Sequence, residues 1–328
     1  MPMKDWFINP QEQRLRMGWR VLVQVLLMIA IALPLSLIFA AVYSGSPAGK
    51  SGMEPMQALN ASEGLLTLNE IFTLIAILGG VGLAAKFLDH QRVREYGFRT
   101  DRKWWGELRF GLLLGAGLMG LLFLVEWATG WVTITGGFYV KGNWPFLPAL
   151  LFPVIQSVAA GVGEEVLIRG YYLTNFAQGF RHWLGARGAG VAGLILSSGI
   201  FGGLHAMNPH ATLLSVINIT AAGIFLLGFG YLVTGSLALP IGVHIAWNFF
   251  QGSVFGFPVS GTSMNNVTLL TLQQHGNPLV TGGSFGPEGG LLGLCFMILA
   301  PLCVFWREAA RKETVAVQSS IAAYRPPE

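Results

Sequence analysis

The chain is dominated by long apolar segments, each close to the length that crosses a lipid bilayer. About 20 residues of helix span the roughly 30 Å of membrane hydrocarbon. The segments lie at about 20–43, 66–88, 108–128, 147–170, 189–207, 211–233, 236–255 and 290–306 of the 328 residues. Because a helix satisfies its own backbone hydrogen bonds in lipid, the pattern predicts an all-α fold, a polytopic transmembrane bundle of about eight helices.

The composition supports a membrane protein and argues against a soluble one. Hydrophobic residues make up 53% of the chain and charged residues only 11%, whereas a soluble domain has about 25% charged residues. The net charge of +4 comes from short basic clusters between apolar spans rather than from one continuous basic face. We therefore expect the lipid bilayer as a partner and no nucleic acid.

The distribution of basic residues predicts the orientation. Basic clusters near the N-terminus, at 86–109, at 181–187 and at 307–312 alternate with loops at 44–65, 129–146 and 256–288 that contain almost no Lys or Arg. Since positive loops stay on the cytoplasmic side, we expect an integral protein of the plasma (inner) membrane with both termini in the cytoplasm. The first apolar run is longer than a signal-peptide core, so it is expected to stay as the first span.

Three regions follow from these spans. Residues 1–146 hold the first three helices and their loops, and residues 147–255 hold four helices that carry most of the polar motifs. Residues 256–328 contain a loop rich in Gly, Ser and Thr, the last helix and a cytoplasmic tail. The composition of that loop favours turns and irregular structure, and we expect it to form an outer cap.

A cluster of charges interrupts the fourth apolar segment. Glu164, Glu165 and Arg169 lie within the run GEEVLIR, where charged side chains are costly unless they pair or line a polar cavity. Residues four apart share a helix face, so Glu165 and Arg169 are predicted to form an ion pair, with Glu164 pointing about 100° away. The simpler interpretation is a buried salt bridge that fixes packing, but two acids beside one base leave an unmatched charge.

Two later spans each contain a histidine with a partner at helical spacing. Phe201 precedes His205 by four residues, and His244 precedes Asn248 by four. Either pair alone would be more typical of helix packing. Together with Glu164 they offer a base, two imidazoles and an amide, which suit peptide-bond hydrolysis: Glu164 and His205 to deprotonate a water, and His244 and Asn248 to stabilise the oxyanion.

With these motifs the sequence resembles the CPBP intramembrane proteases, which include the type II CAAX prenyl endopeptidases and bacterial proteins linked to bacteriocin processing and immunity. The matching residues are Glu164, Glu165 and Arg169 for EExxxR, Phe201 and His205 for FxxxH, and His244 and Asn248 for HxxxN. All three motifs match without substitution, each on a predicted span. The resemblance covers about residues 147–255.

The resemblance implies a glutamate-dependent endopeptidase acting on a membrane-associated protein or peptide, which is lipidated in part of the family. By the same resemblance Glu164 activates water with His205, and His244 and Asn248 form the oxyanion site. Glu165, Arg169 and Phe201 would support that geometry.

Several alternatives stay open at this stage. Glu164, Glu165, His205 and His244 would be a plausible Zn²⁺ shell, although the H-E-x-x-H helix signature is absent, and we expect no metal cofactor. A proton- or cation-coupled transporter would use similar buried groups, but we find no repeated half or pair of broken helices. A non-catalytic membrane scaffold or immunity protein is the third alternative.

The predicted spans place the site residues at different depths. A fourth span ending near residue 170 puts Glu164 close to the cytoplasmic surface, whereas His205 falls near the outer end of the next span. Either the fourth helix continues to about Gln178, or the helices around Asn208 and Pro209 do not cross fully. Both solutions predict an internal cavity that water can enter.

Other polar residues receive weaker predictions. Glu70 and Glu126 lie near span ends, where interfacial solvation is the cheaper explanation. Asn218 and Thr220 would either face the cavity or hydrogen-bond between helices. His210, in a short loop, is expected to be solvated.

Overall fold

The computed structural model describes residues 6–262 and 266–324, which form long, closely packed helices. The helices are α1 (Met17–Gly45), α2 (Pro47–Lys50), α3 (Pro55–Ala61), α4 (Glu63–Ala84), α5 (Arg102–Ala128), α6 (Phe146–Ala149), α7 (Leu151–Glu165), α8 (Thr174–Leu204), α9 (Leu213–Ala221), α10 (Phe229–Thr234), α11 (Ala238–Phe249), α12 (Pro278–Thr281) and α13 (Leu291–Ala310). Segments of π-helix at Ala85–Asp89, Val166–Leu173, Ala222–Gly228 and Phe250–Val254 extend or join them. The predicted all-α class is confirmed.

Six continuous helical segments in the described residues are long and apolar enough to cross a membrane. One of them, Phe146–Met207, is 62 residues long and is interrupted at Gly185, whose φ of 66° and ψ of 174° are not helical. The run from Ala238 to Val254 is shorter than the others. A break at Gly185 and a crossing by α11 would bring the count to eight, which stays a prediction.

The long segment folds back on itself at Gly185. A Cβ atom added at Gly193 would lie 2.6 Å from the carbonyl oxygen of Leu173 and 3.1 Å from the nitrogen of Ala177. The second half of α8 therefore packs closely against the residues that follow Val166–Leu173. The prediction that the fourth span ends near residue 170 is wrong, because the helical backbone continues to Leu184.

This hairpin explains how Glu164 and His205, which the predicted spans placed at different depths, reach the same level. Glu164 precedes Gly185 by 21 residues, and His205 follows it by 20. At about 1.5 Å of rise per residue, both side chains lie about 30 Å from the turn. Continuation of the fourth helix, the first of the two solutions considered from the sequence, therefore brings the two residues to the same level.

The loops at 129–146 and 256–288 contain a small sheet that the sequence did not predict. Strand β3 (Val132–Val140) pairs with β4 (Val267–Gln274) in antiparallel register, from Val132 opposite Gln274 to Val140 opposite Val267, with an irregularity between Ile134 and Gly136. The loop 256–288 is therefore only partly irregular. The two short strands β1 (Ile8–Asn9) and β2 (Arg14–Leu15) form a second antiparallel pair.

Glycines allow the central helices to approach closely. A Cβ atom at Gly111 of α5 would lie 2.3 Å from the carbonyl oxygen of Leu239, and one at Gly242 of α11 would lie 2.4 Å from that of Leu108. Only small residues permit such backbone contact between membrane helices. The contact joins the predicted region 1–146 to the predicted region 147–255. The boundaries of these regions stay a prediction.

The two ends of the described chain meet at one end of the bundle. Arg20 Nη1 lies 2.6 Å from Asp89 Oδ1, and Arg14 Nη1 lies 3.7 Å from the same oxygen. The Arg14 guanidinium also stacks on the ring of Tyr324, 3.6 Å from its centroid. Residues near both termini therefore lie on the same side, and the assignment of that side to the cytoplasm stays a prediction.

Candidate active site

The predicted site residues converge on one cavity of about 590 Å³ between α1, α4, α7, α8 and α11. Its walls include Glu164, Phe201, His205, His244 and Asn248, which are far apart in the sequence. The side chain of Glu164 is 34% exposed, so its carboxylate can reach a ligand or water in the cavity. The arrangement brings one acid, two imidazoles and one amide to the same space.

Glu165 and Arg169 lie behind this wall rather than in it. Arg169 Nη1 donates a hydrogen bond to Glu165 Oε1 at 2.8 Å, and both side chains are fully buried. The ion pair predicted from the four-residue spacing is therefore present. Because each charge neutralises the other, the pair can exist in an apolar interior where either charge alone would be strongly unfavourable.

The same carboxylate orients His244. His244 Nδ1 lies 2.8 Å from Glu165 Oε1, and a carboxylate engaged by arginine only accepts hydrogen bonds, so Nδ1 carries a proton. His244 Nε2 then faces the cavity, 3.7 Å from Glu164 Oε2. That distance is too long for a direct hydrogen bond, and Glu164 Oε2 is buried without a hydrogen-bond partner among the described residues. His244 Nε2 can donate to a ligand atom in the cavity when the ring is doubly protonated.

His205 presents its second nitrogen to the cavity in a similar way. Its Nδ1 lies 2.8 Å from the carbonyl oxygen of Phe201. A carbonyl can only accept, so Nδ1 is the donor and Nε2 of the neutral ring keeps a free lone pair. The imidazole can therefore accept a hydrogen bond from a water in the cavity.

Phe201 is the spacer between the imidazoles and the buried ion pair. Its ring centroid lies 4.7 Å from that of His205 and 6.2 Å from that of His244. The Arg169 guanidinium lies over the same ring, 4.4 Å from the centroid. The aromatic ring thus packs against both imidazoles. It also makes a cation–π contact with the Arg169 guanidinium.

Local backbone structure brings these side chains together. A Cβ atom at Gly161 would lie 2.6 Å from Ile245 Cγ1, so the missing side chain lets α7 approach α11 and places Glu164 next to His244. Immediately after Glu165 the helix widens into the π-helical segment Val166–Leu173. Such segments occur frequently at functional sites.

The structure corrects the prediction for Glu126 and adds a cavity contact for Glu70. Glu70 lines the cavity together with Asn69, and interfacial solvation stays a prediction for it. Glu126 is fully buried and contacts Gln274 of β4, whose Nε2 lies 3.5 Å from Glu126 Oε2. Interfacial solvation is therefore the wrong explanation for Glu126.

A signal for Glu70 was present in the sequence. Glu63, Thr67 and Glu70 follow at helical spacing on α4, which places three polar groups on one face of an apolar span. Gln156 of α7 donates from Nε2 to Glu63 Oε2 at 3.0 Å and to Thr67 Oγ1 at 2.8 Å. This polar stripe packs against the helix that carries Glu164.

The remaining polar residues have structural contacts. Asn218 donates to the carbonyl oxygens of Glu288 and Gly290 at 3.1 and 2.8 Å, and Thr220 donates to the carbonyl oxygen of Val216. Neither residue lines the cavity: Asn218 bonds to a different segment, as the second alternative predicted, whereas the bond of Thr220 lies within α9, so neither alternative holds for Thr220. His210 is exposed in its loop, as expected.

Glu288 connects the outer loop to the site helix. It accepts hydrogen bonds from Trp247 Nε1 at 3.2 Å, from Ser260 Oγ at 2.8 Å and from the Ser260 backbone. Ser260 lines the cavity, and Trp247 precedes Asn248. Burial raises the pKa of the Glu288 carboxyl, and these hydrogen bonds offset part of that effect.

The side chains offer no preformed metal centre. Within residues 6–262 and 266–324, no group of three or more His, Cys, Asp or Glu side chains is arranged to hold a metal ion. In the alternative shell of Glu164, Glu165, His205 and His244, Glu165 Oε1 is already shared by Arg169 and His244 Nδ1. Both histidines engage Nδ1 with a protein oxygen, which leaves Nε2 of each ring as the nitrogen that a metal ion would bind.

The fold and the cavity define a class of protein: a helical membrane bundle with a carboxylate and two imidazoles around an internal polar site. Residues 145–250 match the family described as Type II CAAX prenyl endopeptidase Rce1-like. The resemblance to the CPBP family is thereby confirmed over about a third of the chain, which contains all three motifs. This match and the apolar helices indicate an integral membrane protein that is similar to a protease family over residues 145–250.

The other comparisons add nothing to this assignment. No curated protein matches the chain, and no solved structure matches it.

Proposed function

We propose that this protein is an intramembrane endopeptidase that hydrolyses a peptide bond with a water activated by Glu164 and His205. One observation carries the proposal: His244 Nε2 approaches Glu164 Oε2 to 3.7 Å at a cavity that His205 and Asn248 also line. A water and a peptide carbonyl bound there would contact all four groups. The match of residues 145–250 to an endopeptidase family supports the same activity.

In the proposed reaction, Glu164 removes a proton from water while His205 Nε2 orients it. The resulting hydroxide attacks the carbonyl carbon, and the negative charge passes to the carbonyl oxygen. His244 Nε2–H and the Asn248 amide donate hydrogen bonds to that oxygen. Glu164 then returns its proton to the leaving nitrogen, the C–N bond breaks, and a carboxylic acid and an amine are released.

Glu165 and Arg169 have positioning roles in this proposal. They fix the orientation of His244 through the shared oxygen Oε1. General-base catalysis contributes about 10²–10⁴ in rate, and each oxyanion donor about 10²–10³. These contributions are large enough for the four residues to act without a metal ion.

The substrate would be a membrane-associated protein or peptide. Apolar side chains of α1 and α4, including Leu35, Phe39, Phe72 and Ile77, line the cavity on one side. Cavities with an apolar wall and a few convergent polar groups are typical of ligand sites. That wall would accept an apolar residue or a lipid chain attached to the substrate.

The test is hydrolysis of a library of membrane-derived peptides by the purified protein in lipid vesicles. Glu164→Gln and His205→Ala should each lower turnover at least about 100-fold. Glu54→Gln and His210→Ala are matched controls, because both side chains are exposed outside the cavity. Unchanged turnover in both site variants would reject the proposal, and retained biological function without turnover would favour the scaffold alternative.

A further inference from the structure

Glu70 is a cavity residue whose carboxylate has no partner among residues 6–262 and 266–324. It is half-buried in the wall formed by α4. Among the described residues it makes no hydrogen bond and no ion pair. Three other acids in the helical segments, Glu63, Glu126 and Glu165, each contact a polar side chain. An unpaired carboxylate at membrane depth is costly and by default marks a functional site.

Glu70 lines the same cavity as the proposed base, Glu164. Their helices are in contact, because a Cβ atom at Gly163 would lie 3.3 Å from Leu74 Cδ1 and 3.4 Å from Ile77 Cδ1. A positive group placed beside Glu70 would therefore be attracted by both acids.

No lysine or arginine of the described chain lines the cavity walls. Arg169 is paired with Glu165 and lies behind the ring of Phe201. The one positive charge that the proposed reaction places in the walls is the doubly protonated ring of His244, which Glu165 already engages. With His205 neutral, the carboxylates of Glu70 and Glu164 outnumber this charge, so the site has an acidic character before substrate binds.

We infer that Glu70 is a specificity-determining residue that binds the positively charged side chain of a lysine or arginine next to the cleaved bond. This inference rests on the proposed endopeptidase function. Because Glu70 and Glu164 line the same cavity, a substrate carbonyl held near Glu164 would place a side chain that flanks the cleaved bond within this cavity, where Glu70 can bind it. The substrate class is a membrane-associated peptide with a basic residue beside an apolar one.

A charge-exchange experiment tests this assignment. Peptides are built on one cleaved library sequence, with Lys, Gln or Glu placed in turn at each position near the cleaved bond, and kcat/KM is measured in vesicles. For the wild-type protein we expect at least about a tenfold preference for Lys over Gln at one position, since loss of a site's charge partner leaves a buried group unpaired. The Glu peptide should be the poorest substrate.

Variants at Glu70 test whether its carboxylate is the source of the preference for Lys over Gln. E70Q should abolish the discrimination between Lys and Gln, and E70K should reverse the order so that the Glu peptide is preferred. E63Q is the matched control on the same helix, since Glu63 is engaged by Gln156, and it should keep the wild-type order. If E70K does not fold, the isosteric E70Q decides.

The failure of this inference can be distinguished from failure of the proposed function. No preference for Lys in the wild-type protein, or an unchanged preference in E70Q, would overturn the role of Glu70 while hydrolysis still depended on Glu164. Undiminished hydrolysis of every peptide by Glu164→Gln would instead overturn the endopeptidase proposal itself.

Discussion

His244 Nδ1 and Glu165 Oε1 lie 2.8 Å apart, and the same carboxylate oxygen accepts a hydrogen bond from Arg169 at 2.8 Å. A single buried oxygen therefore joins the ion pair of one helical segment to the imidazole of another. Through this oxygen, changes at residues that do not line the cavity affect a group that does.

Replacing Glu165 should affect both stability and turnover. Glu165→Gln leaves the Arg169 charge buried without a partner, which typically costs 3–5 kcal/mol, and it weakens the hold on His244. We expect a lower unfolding temperature and a loss of turnover. The double variant Glu165→Gln with Arg169→Met removes both charges and should regain stability without regaining activity. Equal stability of the single and double variants would contradict this coupling.

Two asparagines on neighbouring elements should respond differently. Asn248→Ala removes the proposed oxyanion donor and should lower kcat about 10²–10³-fold, with little change in KM or unfolding temperature. Asn218→Ala removes the hydrogen bonds to Glu288 and Gly290, so it should mainly lower the unfolding temperature. Steady-state kinetics and thermal unfolding of the two variants separate these outcomes, and an unchanged kcat in Asn248→Ala would remove it from the mechanism.

The close contact of α7 and α11 should be necessary for activity. Gly161→Val would place atoms within 2.6 Å of Ile245 Cγ1 and 3.1 Å of its backbone nitrogen. The helices would have to separate and Glu164 would move away from His244, so turnover should fall strongly. Gly199→Val is the matched control, because a Cβ atom there contacts nothing within 4 Å. Similar turnover in both variants would show that this contact does not position the site.

Chelation distinguishes the metal-free proposal from the zinc alternative. Overnight treatment with EDTA or phenanthroline should leave turnover of the purified protein unchanged, since the four proposed residues supply the base and the oxyanion donors. A zinc enzyme would lose activity and recover it on addition of Zn²⁺. Recovery of this kind would support the alternative shell.

Glu288 predicts a pH dependence of stability. Burial raises the pKa of its carboxyl in the folded protein, so the folded state binds the proton more tightly than the unfolded state, whose pKa is about 4.3. The contribution of Glu288 is therefore most favourable below about pH 4.3 and declines as pH rises through the higher folded pKa. Thermal unfolding of wild type and Glu288→Gln across this range should show the wild-type advantage shrinking with pH, and a constant difference would contradict the assignment.

Short-range spacing in the sequence predicted the parts of the site that depend on one helix. The four-residue separation of Glu165 and Arg169 was sufficient for their ion pair, because helix geometry is local. Helix geometry also predicted correctly that Glu164 takes no part in this ion pair. The catalytic roles themselves stay predictions until the variants are measured.

Features that depend on distant segments were not predicted. Strand β3 contains Gly136 and Gly137 and finds its partner more than 120 residues later in the chain, and glycine weakens the local strand signal. The end of the fourth span was placed too early because polar residues such as Arg169 and Asn175 interrupt the apolar run. Both are fully buried and bond to groups four residues earlier on the same helical segment, Arg169 to Glu165 and Asn175 to the Tyr171 carbonyl, so their polarity does not end the helix.

The turn at Gly185 has a consequence for how this chain tolerates change in length. Glu164 and His205 sit on two arms of nearly equal residue count, and one inserted residue in either helical arm would rotate the side chain beyond it by about 100° and advance it by about 1.5 Å. Insertions close to Gly185 would only lengthen the bend. Homologous or engineered chains with extra residues here should therefore carry them at the tip of the hairpin, while the arms keep a fixed length.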